Sequence, residues 1–211
     1  MRVVIGREPL GRILKWTHPA LFAFGILLLG YCGFALMDGW IFQRRASQDL
    51  DRQLRPQPAE SLGRNPAQSA SRKLRAAAPR VDGLVGRIKI PRLLLSVVVV
   101  EGVTKTALGR AAGHIPGTAL PGEPGNVGVA GHRDTFFRPL KDLRIKDEIQ
   151  FSTLKGDFKY EVESLKVAEP NDVGVLAPSG ENVLTMVTCY PFYFVGPAPT
   201  RWIVRARQVS P

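Results

Sequence analysis

The sequence predicts an all-β domain, a barrel or a sandwich with little helix, carried behind one membrane-spanning helix. Three observations predict it. Residues 82–211 read as a series of short strand signals separated by Gly, Pro and Asn turns. The run from Thr17 to Met37 contains no Asp, Glu, Lys or Arg. The formal charge of +11 over 211 residues is unevenly placed: 13 Lys+Arg face 5 Asp+Glu in residues 1–81, but 16 face 13 in residues 82–211. The excess therefore belongs to the segments ahead of the domain. A nucleic-acid footprint would sit on the domain itself, and that reading fails. A hydrophobic content of 45% excludes wholesale disorder, and two cysteines cannot staple a small scaffold.

Residues 1–18 form a basic lead, with Arg2, Arg7, Arg12 and Lys15 against Glu8. Residues 19–37, PALFAFGILLLGYCGFALM, follow. As a helix they span roughly 28 Å, close to the hydrocarbon thickness of a bilayer. No small-x-small cleavage site follows, and Trp40 and Phe42 stand where an interfacial aromatic belt would be. The run reads as an uncleaved signal anchor. Four basic residues precede it, and Arg44, Arg45 and Arg52 follow. That balance favours a cytoplasmic N-terminus and an extracytoplasmic domain. Cys32 lies within the span as a membrane-buried thiol, because Tyr31 before it rules out a lipoprotein lipobox.

Residues 38–81 read as a tether rich in Pro and Arg, whose first part, Gln43–Leu54, extends the anchor as a helix. The domain, 82–211, begins with an alternating strand at Leu84–Ile90. Leu93–Val100 is a continuous apolar run, the signature of a strand buried on both faces. Thr104–Ala112 reads as a short helix, and Gly113–Gly125 as a loop dense in breakers. Strand signals then fall at Asn126–Gly131, Asp147–Thr153, Phe158–Val167, Val183–Thr188 and Trp202–Arg207. Lys155-Gly156-Asp157 reads as the hairpin turn between the middle pair.

The domain holds one cysteine, Cys189, and two histidines, His114 and His132. Cys189 ends an apolar strand, His132 follows another, and Arg201 begins the last. Strand ends are where such side chains converge in a cleft. Position alone leaves the ordinary alternatives open: a buried thiol, a structural imidazole and a surface guanidinium.

The local sequences are more specific. Gly131-His132-Arg133-Asp134 after an apolar strand, Thr185-Met186-Val187-Thr188-Cys189, and Arg201 twelve residues on resemble the sortase family of cysteine transpeptidases. Met186 stands where that family usually has Leu, a volume-conserving change. His114-Ile115-Pro116-Gly117-Thr118 and Thr135-Phe136-Phe137-Arg138-Pro139-Leu140 resemble its class D branch.

The resemblance implies a closed eight-stranded β-barrel with short helices. It implies His132, Cys189 and Arg201 as catalytic residues in a surface groove, acting on an LPxTG-like sorting signal. The partners would be proteins bearing that signal, an amine acceptor on a wall precursor or a pilin lysine, and the membrane. Thr188, His114 and Asp134 are weaker candidates for substrate contact. Residues 168–182 correspond to the loop that covers the sorting signal in that family. Glu169, Asp172 and Glu181 within it lack a diagnostic calcium spacing, and no metal or cofactor is expected. Papain-like and NlpC/P60 hydrolases place Cys before His in the chain, the reverse of the order here. L,D-transpeptidases share the order but carry an S-x-G-C context that is absent. The rival of another class is a non-enzymatic, membrane-tethered β-domain in which Cys189 is inert.

Overall fold

The computed structural model describes residues 8–54 and 83–210. The remainder of the expected tether, 55–81, with Asp82, Pro211 and the first seven residues of the basic lead, lies outside the described residues. The chain divides into two compact units between Ile41 and Phe42. In the first, helix α1, Glu8–Leu54, carries the apolar run with Leu21, Phe22, Leu29 and Phe34 exposed. By length and composition this helix can cross a membrane. It continues past Met37 to Leu54, so the expected helical extension over Gln43–Leu54 is present.

The second unit is a closed barrel. Its strands are β1 (Leu84–Ile90), β2 (Leu95–Glu101), β3 (Ala112–His114), β4 (Asn126–Ala130), β5 (Glu148–Thr153), β6 (Gly156–Ala168), β7 (Val183–Tyr190) and β8 (Thr200–Ser210). They run around the barrel in the order β1-β2-β3-β4-β7-β8-β6-β5, and β5 closes on β1. The β2–β3 and β4–β7 pairs are parallel, the others antiparallel. Closure removes the exposed sheet edges that a small antiparallel sheet would leave.

Alternation decides what fills the barrel. Ile88 and Ile90 of β1, Val97 and Val99 of β2, Phe151, Tyr160, Leu184 and Met186 form the interior. The run Val97–Val100 is apolar without alternation because both its faces are covered. Val98 and Val100 point outward and are buried by Ala107 and Ala111 around the short helix α2 (Lys105–Arg110), with Phe42 and Ala46 of α1 packed against them. Thr104 caps α2, its Oγ1 accepting from the Ala107 N–H.

Phe42–Leu54 is thus part of the barrel's own packing. β3 pairs with β2 only from Val99 onward. The N–H of Val98 donates instead to Gln43 Oε1 at 2.9 Å, and Gln43 Nε2 donates to the Arg110 carbonyl at 2.8 Å. A buried N–H left unmet costs about 1–3 kcal/mol, so one side-chain amide completes a strand and a helix end together. Leu50 is fully buried, and Asp51 forms an ion pair with Arg87 of β1.

Two local differences from the sequence reading have simple causes. β3 spans the last residue of the expected helix and the first two of the expected loop, because three residues are too short to show a period. β2 starts at Leu95 rather than Leu93, because Pro91–Leu93 form a 3₁₀ turn that ends in a left-handed Leu94.

Candidate active site

Strand register gathers the expected residues. β4 and β7 run parallel with Ala130 beside Val187, and Gly131 N–H donates to the Val187 carbonyl at 3.1 Å. His132, two residues past Ala130, therefore stands level with Cys189. In the antiparallel β7–β8 pair, Cys189 lies directly opposite Arg201. Cys189 and Arg201 are thus cross-strand partners on β7 and β8, and His132 lies two residues past the end of the neighbouring β4.

The pair lies on the outer face. Leu184, Met186 and Tyr190 of β7 and Trp202, Val204 and Ala206 of β8 turn toward the core. The alternating residues Cys189 and Arg201 therefore turn away from it. His132 is exposed, while Cys189 and Arg201 are half-buried. Beneath them Tyr190 stacks on Trp202 at 5.5 Å, and Phe192 meets both rings edge-on. This aromatic layer gives the Cys–Arg pair a packed floor.

The turn that carries His132 is tightly built. Thr188 Oγ1 donates to the Gly131 carbonyl at 2.7 Å, and Phe137 N–H donates to the His132 carbonyl at 3.0 Å. Any side chain at position 131 would meet the buried Phe137 ring at 2.7 Å, so only glycine permits this approach.

The Arg201 guanidinium shapes its own approach. Its Nη1 donates to the carbonyls of Ala198 and Thr200, and Nε and Nη2 make no hydrogen bond among the described residues. A cationic donor thus stands opposite the thiol.

Two weaker expectations are corrected. His114 does not line the groove: it is 2% exposed. Its Nδ1 lies 2.8 Å from the Glu101 carboxylate, and its Nε2 lies 2.9 Å from the Ala119 carbonyl and 3.0 Å from Thr118 Oγ1. With both nitrogens engaged, it ties β2 and β3 to the following loop. Thr188 is likewise 2% exposed, and its hydroxyl is held by Gly131, so it sets register and leaves no group for a substrate. Asp134 is exposed and forms no ion pair among the described residues. Arg133 turns from it toward the β7–β8 connection.

Asn126 is a residue that sequence reasoning missed. It is 3% exposed on the outer face of β4. Its amide donates to the carbonyls of Val175 and Ala177, and its Oδ1 accepts from Thr185 Oγ1 at 2.7 Å. It thereby pins the 168–182 connection over β4 and β7. Gly128 leaves room for that connection, since a Cβ there would meet Leu176 at 3.1 Å and Thr118 at 2.9 Å. An amide opening an otherwise apolar strand was the available signal. Glu181 of the same connection pairs with Arg207, and no group of three metal-ligating side chains occurs among the described residues.

Comparison with known proteins agrees with this architecture. The family model for the sortase domain matches residues 88–209. Sortase D of Bacillus subtilis (strain 168) is 28% identical over 193 residues, covering 90% of this chain and 96% of that protein. Sortase SrtE1 of Streptomyces coelicolor is 34% identical over 123 residues, 49% of this chain and 35% of that protein. The structure of a Clostridium perfringens Sortase D5 transpeptidase superposes with a TM-score of 0.67 at 26% identity, covering 80% of this chain and 99% of that one. Sortase C1 of Streptococcus agalactiae gives 0.58 at 28% identity, covering 64% and 72%. The family match takes in over half of the chain and runs from β1 to β8. With that barrel and these strand-end residues, the chain belongs to the sortase family and resembles its class D members.

Proposed function

We propose that this transpeptidase cleaves an LPxTG-like sorting signal between Thr and Gly through a thioester on Cys189. The acyl group then passes to an amine at the cell surface. As a sortase the chain is a cysteine transpeptidase that attaches proteins to the cell wall. The observation that carries the finer reading is the register that sets Cys189 opposite Arg201 on β7 and β8, with His132 just past the end of the neighbouring β4.

An amide resists direct aminolysis, so a covalent step divides the barrier in two. Cys189 Sγ attacks the Thr carbonyl carbon, and the carbonyl π pair moves onto oxygen. Arg201, opposite Cys189, faces that oxygen as charge builds on it. His132 gives a proton to the departing Gly nitrogen as the C–N bond breaks and the thioester remains. The acceptor amine then attacks the thioester, loses a proton to His132 and releases the thiolate. Thr188 and Gly131 act one step back by holding His132 level with Cys189. The 168–182 connection, fastened by Asn126, walls one side of the peptide's groove.

The test incubates the full-length chain, which retains the Phe42–Leu54 packing, with an LPxTG-type peptide and hydroxylamine. The expected products are a Thr hydroxamate and a Gly-leading fragment. No cleavage and no acyl adduct with any sorting-type peptide would remove the reading.

The same proposal places α1 across the membrane with the N-terminus inside and the barrel outside. A reporter fused after Pro211 should be active only in its extracytoplasmic form. Activity inside would reverse the orientation.

A further inference from the structure

The connection between Cys189 and Arg201 has little structure of its own. From Pro191 to Pro199 it contains three prolines and Gly196, and its sole internal backbone bond among the described residues runs from Phe194 N–H to Pro191 O at 3.3 Å. Its ends are held by the β7–β8 ladder and Phe192 by the core, and the exposed stretch 193–197 between them has neither hold. Yet four carbonyls between Phe194 and Thr200 are taken by two arginines. Arg201 takes those of Ala198 and Thr200. Arg133 takes two more: its Nη2 donates to Phe194 O at 2.6 Å and to Gly196 O at 2.9 Å.

Arg133 is the residue after His132. Its guanidinium carbon lies 5.9 Å from the centre of the Phe194 ring, and its Nη1 is shut off from solvent. Here the cation is lodged beneath the connection. The same stretch of chain adds a second grip, with Arg138 at 5.8 Å from the Tyr193 ring. One side of this contact is the turn that carries His132. The other is the connection whose two ends are Cys189 and Arg201.

We propose that Arg133 is a positioning residue for the reaction: a strap that fastens the Cys189–Arg201 connection to the His132 turn and holds all three groups in one register. The proposal rests on the transpeptidase reading above. A planar cation with several N–H donors suits the task, because it grips two carbonyls and covers a ring together. Register within β7 and β8 fixes Cys189 against Arg201, and Thr188 fixes the start of the His132 turn. Arg133 supplies the tie beyond that point, where no strand pairing remains.

The test compares the full-length wild type with Arg133→Ala and Arg133→Lys in detergent micelles. Arg133→Ala should lower kcat for an LPxTG-type peptide about 10- to 100-fold with little change in KM, the signature of misplaced reacting groups. Amide exchange over residues 192–200 should quicken while β4 and β7 keep their protection. Arg133→Lys keeps the charge and can still reach a carbonyl, but it lacks the flat face, so it should fall between the two. Unchanged kcat in Arg133→Ala overturns the proposal, whether or not the connection loosens. If Arg133→Ala does not fold, Arg133→Lys decides by the same two measurements. A wild type that cleaves no sorting peptide defeats the transpeptidase reading instead. Iodoacetamide alkylation of Cys189 and amide exchange then still test the strap. Both unchanged in the variant would overturn it.

Discussion

Cys189→Ala is expected to reduce peptide cleavage at least about 10³-fold and to abolish the hydroxylamine-trapped adduct. The substitution removes one sulfur from a half-buried outer position of β7, so the β4–β7–β8 ladder should keep its register. Loss of turnover with an unchanged thermal transition would therefore reflect chemistry. The other cysteine, Cys32, stands exposed on the first unit's apolar helix, and Cys32→Ala should leave turnover as it was. Cys189→Ser should not rescue, because a hydroxyl is a far weaker nucleophile than a thiol. Cleavage that survived Cys189→Ala would take Cys189 out of the mechanism, whereas the non-enzymatic scaffold reading predicts no cleavage by the wild type.

Arg201→Lys is expected to lower kcat about 10²- to 10³-fold with KM little altered. The interaction it weakens forms only once charge develops on the carbonyl oxygen, so ground-state binding should scarcely change. The lysine test is sharper than the alanine one. Arg201 also holds the carbonyls of Ala198 and Thr200, and Arg201→Ala would loosen the connection as well as remove the charge. Lysine keeps a cation but offers one compact head where Arg201 has a fork that serves the loop and a substrate together. Amide exchange over residues 192–200 separates the contributions. Slow turnover with a protected connection would assign the loss to the oxyanion. Unchanged turnover would take Arg201 out of the mechanism.

Much of the barrel was legible because strand periods survive in the chain. The alternation at Leu84–Ile90, and the breakers that bound each later strand, mark elements that the structure contains. The apolar run Leu93–Val100 signalled a buried strand, but not what covers its outer face. That cover is α2 and, over 50 residues upstream, the Phe42–Ala46 turn of α1. β3 escaped notice because three residues show no period and its pairing with β2 is parallel and non-local.

Within the site, residue chemistry and order were legible, while partners were not. The Pro- and Gly-rich loop around His114 left both a structural and a groove-lining role open, and the fold closes around the ring. Thr188 lies beside Cys189 in sequence and yet faces the opposite side of the strand, where its hydroxyl bonds a carbonyl 57 residues away. Asn126 and Arg133 act on segments 49 to 63 residues distant.

By itself the sequence determined the kinds of element, the apolar helix ahead of an all-β domain, and the identity of the three strand-end residues. These follow from local pattern: hydrophobic period, turn chemistry, and short motifs around Cys189 and His132. Only the tertiary structure decided that Cys189 faces Arg201 beside the turn that carries His132, and which polar groups hold that turn there. It also decided that the end of the apolar helix belongs to the barrel's packing. Those facts depend on strand register and on hydrogen bonds between residues far apart in the chain. A local pattern can say that a group will be buried or exposed, but not which distant group it will meet.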